Sequence, residues 1–375
     1  MQKRSKPTVL HLSTLHRGDD SRMILKMAFT TALRYRTLAL VTQQCLPNAD
    51  LEYHFLPYHS SLIKRLGLVH PLALWKSLRL RPDIVHVHAP EALPIALVHH
   101  WLGATVIFDV YENMGKQLKG KQVNNNLLFR SFFKLFDHIA RKKFHFIFAE
   151  DSYRESYSDL AKSSIVIHNF PDLTSIPVRQ AHPEEPAFFY LGQLSKARCL
   201  DVMIEAAGLL RKDYPTFRWH IFGKVDFDLS SMEEIEQMPG YAEVKENLIF
   251  YGYTPAREAY QKGAECLAGI ALLKPIGDFE GSYPTKIFEY MALGLPVITS
   301  NFPLYQSVVE HHSCGHCVNP TDAGALYESL KFFIENPNER TQMGERGKTA
   351  VQKHYNWAGE QQKLLAFYEK VIKEG

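Results

Sequence analysis

Long apolar runs are missing from this 375-residue sequence. No stretch of ~18 apolar residues occurs, so no membrane-spanning helix is expected. Cysteine is scarce. Five residues, an odd number spread thinly, fit a reduced cytoplasmic protein better than a disulfide scaffold. Cys314-Gly-His-Cys317 lacks the second pair that a zinc or redox site would need. The start, Met1-Gln-Lys-Arg-Ser-Lys-Pro, has neither the apolar region nor the small residues of a signal peptide. No Gly-x-Gly-x-x-Gly follows the first strand candidate, which disfavours a nicotinamide-dependent oxidoreductase. No helix-turn-helix, zinc-finger or RNA-binding signature appears, so no nucleic-acid partner is expected. Disorder is excluded too, because 46% of residues are apolar and only 22% are charged.

What is present is alternation. Near-continuous apolar runs at 8–12, 38–42, 52–56, 84–88, 105–110, 144–149 and 164–168 predict strands covered on both faces, with helical segments between them. Asp20-Ser21 predicts a helix start ahead of Met23, Ile24, Met27 and Ala28. The pattern repeats with strands at 187–191, 219–222, 248–251, 269–273, 296–299 and 316–318. Helices are predicted at 200–212, 255–264, 285–293 and 323–336, and two more close the chain at 338–354 and 357–372. The fold class is therefore α/β with two Rossmann-like domains. Expected limits are 1–172 for the first domain, 173–186 for a proline-rich linker, 187–355 for the second domain and 356–375 for a C-terminal helix. The closing helices are expected to cross back to the first domain. Two such sheets facing each other would make a cleft.

Charge is uneven. Residues 1–175 carry 23 Lys+Arg against 14 Asp+Glu, a balance of +9, whereas the remainder stands at −6. A basic first half predicts an anionic contact, with an anionic membrane surface as a possible partner. Two stretches mix cations with large apolar residues. One is Lys116–Lys143, continuing to His145, with Lys119, Lys121, Arg130, Lys134, Arg141 and Lys142. The other is Ser61–Arg81, with Ile63, Leu68 and Trp75. A helix packed on its sheet with solvated cations accounts for the pattern equally well.

The sharpest segment is Gly281-Ser-Tyr-Pro-Thr-Lys-Ile-Phe-Glu-Tyr-Met-Ala-Leu-Gly-Leu-Pro-Val-Ile-Thr-Ser300. Pro284 suits a helix start, where the N–H groups of Thr285 and Lys286 are free to meet an anion such as a diphosphate. Glu289, one turn on, is placed to accept from a sugar diol. A plain capped amphipathic helix is the alternative that composition alone favours.

This segment resembles the nucleotide-binding signature of retaining glycosyltransferases of the two-domain GT-B fold, in the large family four group, including the type that builds bacterial surface polysaccharides. The resemblance extends over most of the chain. Tyr190-Leu-Gly-Gln-Leu-Ser-Lys-Ala-Arg-Cys-Leu-Asp201 looks like the family's donor loop, and Val166-Ile-His-Asn-Phe-Pro171 like its entry to the linker. Asp83–Pro94, Asp109-Val-Tyr-Glu-Asn113 and Leu12–Arg22 look like segments of its first domain.

The resemblance implies transfer of a sugar from a nucleotide diphosphate donor, UDP- or GDP-linked, with retention at the anomeric carbon. The acceptor would be a glycan, polysaccharide or lipid-linked molecule. No cofactor and no metal are implied, because cations and helix termini stabilise the leaving diphosphate. The implied catalytic residues are Arg198, Lys286, Tyr111 and Glu112. Donor contacts fall on Gly192, Gln193, Lys196, Gly223, Gly252, Tyr283, Pro284, Thr285 and Glu289. Acceptor-side candidates are Arg17, Asp20, His88, Glu91 and Glu150. The protein is expected in the cytoplasm, with peripheral attachment to the inner face of the membrane. Departures from the family pattern are Glu280 one residue before the expected slot at Gly281, Gln193 in place of Arg, Cys199 in place of Gly, and Tyr111 where His is common. A non-catalytic, nucleotide-sugar-binding partner subunit of a glycosyltransferase complex is the alternative function.

Overall fold

The structure, a computed structural model, describes residues 6–43, 51–112, 127–177, 185–226 and 228–374, with only the helix path for 127–130. Two compact units divide the chain: residues 1–169 with 358–375, and residues 170–357.

The first unit is a seven-stranded parallel sheet of order β3-β2-β1-β4-β5-β6-β7. Its strands are β1 (Thr8–Arg17), β2 (Arg36–Thr42), β3 (Glu52–Leu56), β4 (Ile84–Val87), β5 (Thr105–Val110), β6 (His145–Phe148) and β7 (Ser164–Val166). Helices α1 (His70–Leu80), α2 (Leu93–Trp101) and α3 (Leu127–Lys143) connect them. Nearly every residue of β2, β4 and β6 is buried, as a sheet covered on both faces requires.

Strand β1 runs five residues beyond the predicted Leu12, and its register with β2 breaks between Leu12 and Arg17. Local side-chain bonds carry this extension. Thr42 Oγ1 donates to the carbonyls of Leu15 and His16 at 3.1 and 3.0 Å, and Ser13 Oγ meets His16 Nδ1 at 2.8 Å. Asp20 then starts the next helix as expected, accepting from the N–H groups of Arg22 and Met23 at 3.0 and 2.7 Å.

The second unit repeats the plan with six parallel strands in the order β10-β9-β8-β11-β12-β13. They are β8 (Ala187–Leu191), β9 (Arg218–Phe222), β10 (Leu248–Phe250), β11 (Ala268–Ala271), β12 (Val297–Ser300) and β13 (Gly315–Val318). Its main helices are α4 (Leu200–Asp213), α5 (Ala256–Gly263), α6 (Thr285–Ala292), α7 (Pro303–Val309), α8 (Ala323–Glu335) and α9 (Pro337–His354). In both sheets strand order reverses beside the first strand of the unit. At such a switch point the crossovers part and the carboxyl ends of the strands leave a crevice for ligands.

Residues 173–175 of the expected linker form a short 3-10 turn capped by Asp172 and belong to the second unit; residues 178–184 lie outside the described residues. Of the two closing helices, α9 stays with the second unit and α10 (Trp357–Glu374) joins the first from Ala358 on. Within the first unit, Tyr368 hydroxyl pairs with His86 Nδ1 at 2.7 Å, Glu360 accepts from the His168 N–H at 3.0 Å, and Arg34 pairs with Glu369.

Candidate functional site

In the second unit the carboxyl ends of β8, β9 and β10 turn through glycines with left-handed backbones. Gly192, Gly223 and Gly252 have φ of 151°, 141° and 67°. The closest approach is between the first two. A Cβ on Gly223 would lie 1.8 Å from the Gly192 carbonyl oxygen, so no side chain fits there. Gly223 N–H donates to the Gly252 carbonyl at 2.8 Å, tying the three turns together.

The loop after Gly192 is held from outside the motif. Ser195 is buried, and its Oγ accepts from the Arg198 N–H at 3.2 Å. Asp228 accepts from the N–H groups of Lys196 and Ala197 at 2.7 and 2.8 Å. Asp226 accepts from Gln193 Nε2 at 2.6 Å, and Gln193 Oε1 accepts from Arg198 at 3.1 Å. Asp226-Phe227-Asp228 has the spacing of an Asp-x-Asp metal signature, which the sequence reading overlooked. Both carboxylates are engaged in fixing this loop.

Helix α6 begins at Thr285 behind Pro284, whose side chain makes no cap hydrogen bond. Lys286 in its first turn is only 5% exposed. Its Nζ sits 4.1 Å from the centre of the Tyr190 ring and has no hydrogen-bond partner. Burial first, and the Arg198 charge second, push this amine well below the usual lysine range, against the opposing pull of Glu289. A Cβ on Gly192 would come within 2.8 Å of Lys286 Nζ, so loop and helix start meet closely. Glu289 is half-buried and carries a hydrogen bond with the Tyr260 hydroxyl of α5, a partner the sequence did not reveal. Tyr283 packs edge-on against Phe288, with their ring centres 5.3 Å apart. Glu280 is exposed in the short turn Phe279–Gly281. The structure thus gathers Gly192, Gln193, Lys196, Arg198, Gly223 and Lys286 around one loop-helix junction. The N–H groups of Gly192, Lys196, Arg198 and Gly223 are taken within the fold, so what an anion such as a diphosphate would meet there is the Arg198 guanidinium, the Lys286 amine and the first-turn N–H groups of α6.

The acceptor-side candidates divide differently. Glu91 is buried and engaged within the first unit. Arg65 clamps it bidentately, both contacts at 2.8 Å, and Thr14 donates at 2.7 Å. Burial would raise this carboxyl, but hydrogen bonds with His70, Arg65 and Thr14 outweigh it and bring it down to about 2. Asp20 is spent on helix capping, and Arg17 pairs with Asp19 at 3.0 Å on the surface. Glu150 is buried at the end of β6 and opens the helix Asp151–Glu155. Tyr111 and Glu112 follow β5. Tyr111 is 42% exposed and lies 5.7 Å from the Arg22 guanidinium carbon.

His88 is buried inside a hydrogen-bonded network. Its Nδ1 meets Asp109 at 3.1 Å and its Nε2 meets His11 Nδ1 at 2.9 Å, while His11 Nε2 reaches Thr31 at 2.9 Å. Arg22 clamps Asp109 at 3.1 and 2.8 Å and donates to the Ile167 carbonyl at 2.9 Å. Burial would raise Asp109, but Arg22 first and then His88 hold it far below the usual carboxylate range. His11, His86 and His88 are the described group that could approach a metal ion, with ligand atoms within 4.8 Å of one another. Tetrahedral ligation needs nitrogens roughly 3.3 Å apart. The 2.9 Å separation of His11 and His88 suits a shared proton, and Arg22 already supplies the local positive charge. The thiols of Cys314 and Cys317 are pushed up to about 12 by burial, which leaves both neutral.

Residues 174–350, just under half of the chain, match the family described as Glycosyl transferases group 1. The amylovoran biosynthesis glycosyltransferase AmsK of Erwinia amylovora is 26% identical over 158 residues, 42% of this chain and 38% of that protein. The putative colanic acid biosynthesis glycosyltransferase WcaL of Escherichia coli K12 is 27% identical over 171 residues, 44% of this chain and 40% of that protein. The chain thus spans about two-fifths of the length of these curated relatives. In three dimensions it is similar to sucrose-phosphate synthase of Thermosynechococcus elongatus, with a TM-score of 0.76 at 14% identity over 99% of this chain and 100% of the other. It is also similar to Anabaena HepE, with a TM-score of 0.75 at 12% identity over 97% and 100%. The chain therefore has the GT-B fold, and its residues 174–350 match the Glycosyl transferases group 1 family.

Proposed function

We propose that this protein is a retaining, metal-independent glycosyltransferase. It moves a sugar from a nucleoside diphosphate donor, UDP- or GDP-linked, to a glycan or lipid-linked acceptor in polysaccharide synthesis. The observation that carries the reading is the junction of Gly192, Arg198 and Lys286 at the start of α6. There a first-turn lysine has no acceptor of its own and the backbone passes without side chains. As the glycosidic bond breaks, negative charge grows on the leaving diphosphate. Arg198, Lys286 and the N-terminal N–H groups of α6 meet that charge where it develops. Glu289 would accept from the donor ribose with the oxygen capacity that Tyr260 leaves.

Titration calorimetry with UDP and GDP tests this. Anabaena HepE has been solved in complex with UDP, so UDP is the first to try. Glu289→Ala should weaken binding by about 1.5–3 kcal/mol, the value of a hydrogen bond to a charged group. Glu289→Gln keeps a partner for Tyr260 and separates the donor effect from a disturbed core. Affinity should be the same in EDTA and in magnesium. Unchanged binding in both variants would remove Glu289 from the site, and a metal requirement would give Asp226 and Asp228 a different role.

An anionic membrane is a proposed partner of the first unit. The residues favouring it are in and before α1: Ile63 and Leu68 are 80% and 61% exposed, Lys64 is exposed between them, and Arg79 stacks on the half-exposed Trp75 at 3.8 Å. The second basic stretch is a weaker support than its composition implied. Arg141 pairs with Asp137 and Asp159 at 2.8 and 2.9 Å and lies over the Tyr157 ring, and Lys142 pairs with Asp159 at 3.4 Å. Lys116, Lys119 and Lys121 lie outside the described residues. Among the described residues no helix is long and apolar enough to cross a membrane.

A further inference from the structure

Lys286 is in an unusual position for a cation. It is 95% buried, its Nζ has no hydrogen-bond partner, and an ammonium has three donors to satisfy. Around it stand groups from each packed element. Tyr190 of β8 offers a ring face at 4.1 Å, a phenol that burial keeps protonated and uncharged. Cys199, at the start of α4, is pushed up to about 12 by burial and is a neutral thiol. Arg198, from the turn before α4, contributes repulsion. Glu289, one turn along α6, supplies the negative charge acting on Lys286 and shares its carboxylate with Tyr260. One partly engaged carboxylate and the Tyr190 ring face, which also favours a cation, are set against Arg198 and a nearly complete loss of water, and they do not hold an ammonium in the donor-free protein. A diphosphate at the N-terminus of α6 reverses that balance by bringing two or more negative charges and several acceptor oxygens.

We propose that Lys286 is an unprotonated amine in the donor-free protein and takes up one proton from solvent when a nucleoside diphosphate binds, so that donor capture and product release are coupled to proton transfer. This rests on the donor-site reading above. On binding, Lys–NH2 and one buffer proton become Lys–NH3+, whose N–H bonds point to phosphate oxygens. When the diphosphate leaves, the same proton returns to solvent. The empty site is thereby spared a buried, unpaired charge, and the filled site has one more cation than it shows when empty. Release of the nucleotide product is favoured by higher pH.

The experiment is calorimetric titration of the full chain with UDP and GDP at pH 8.0, in buffers of low and high ionisation enthalpy. At this pH the terminal phosphate, with a second pKa of about 6, has almost no proton to bring or lose. The apparent binding enthalpy should then change with buffer enthalpy with a slope near one proton taken up per site. The dissociation constant of the native protein should weaken up to tenfold per pH unit as pH rises above neutrality, the linkage expected for one proton. In Lys286→Arg the guanidinium is always charged, so uptake should vanish. If that variant does not bind, the native pH series decides by itself. Nucleotide binding with zero slope and a flat affinity between pH 7 and 9 overturns the proton-uptake proposal and leaves the donor site standing. Uptake that persists in Lys286→Arg assigns the proton elsewhere and also overturns it. No binding of either nucleotide to the native protein refutes the donor-site reading itself.

Discussion

Mild acid should loosen the first unit through its interior histidines. His11, His86, His88 and His99 are each no more than 4% exposed. Burial is the largest cause pulling all four below the ordinary imidazole value, with His99 at about 4. His88 adds its charge against His11 and His86, while Asp109 pulls the other way. Their folded values lie below the unfolded one of about 6.5, so the unfolded chain binds more protons and stability falls as pH drops through that value. Between pH 7.0 and 5.5 each ring that stays neutral costs roughly 1.2 kcal/mol, so four cost at most about 5 kcal/mol. That is a large part of the ~5–15 kcal/mol that holds a typical domain. Urea unfolding at the two pH values, followed by hydrogen exchange at the amides of β1 and β4, should show a much lower midpoint at pH 5.5. Histidine-selective NMR should show all four rings titrating below the ordinary imidazole value. A ring among them that titrates at or above that value, or an unchanged urea midpoint, would refute the reasoning.

Gly223→Ala should abolish UDP binding in calorimetry and lower the melting temperature, because its Cβ meets the Gly192 carbonyl oxygen at 1.8 Å. Gly252→Ala, with φ of 67° and nothing within 4 Å of its Cβ, should cost only about 1–2 kcal/mol. Arg65→Met should destabilise the first unit by about 3–5 kcal/mol in urea unfolding by stranding the buried Glu91 carboxylate, and adding Glu91→Leu should recover much of the loss. Native protein should sediment with anionic vesicles, and Ile63→Asp with Leu68→Asp should release it. Equal binding by this variant would return the face to ordinary solvated surface.

Much of the fold was legible because a parallel sheet covered on both faces writes its strands as apolar runs. Strands β3, β5 and β8 begin and end where those runs do. Gly294, with φ of 73°, ends α6 where the sequence placed the stop. Pairings between distant residues were not legible. Glu91 looks like any carboxylate after a strand, and only the folded chain shows Arg65, 26 positions earlier, clamping it. His86 and His88 advertise a shared strand face, but their neighbours His11 and Tyr368 come from opposite ends of the chain. Asp228 reaches back 32 residues to hold the Lys196 N–H, a role no local pattern announces.

The departures from the family pattern acquire separate physical meanings at the donor loop. Cys199 has φ of 60°, the left-handed conformation that a glycine adopts without strain, so the family's glycine serves the backbone there. The cysteine costs about 1–2 kcal/mol of backbone strain, and its fully buried side chain joins the hydrophobic cluster that includes Tyr190, Leu194 and Leu200. Gln193 acts electrostatically. Its amide accepts from Arg198 on one side and donates to Asp226 on the other. An arginine there could only donate, and would set a further cation beside Arg198. The glutamine instead relays the Asp226 carboxylate to the guanidinium and fixes its direction. Glu280 differs from both, since it is exposed on a turn and no described bond aims it toward Lys286. Two of the three substitutions thus preserve the loop that carries Arg198, one by accepting strain and one by completing a hydrogen-bonded chain. The third touches only the approach to α6.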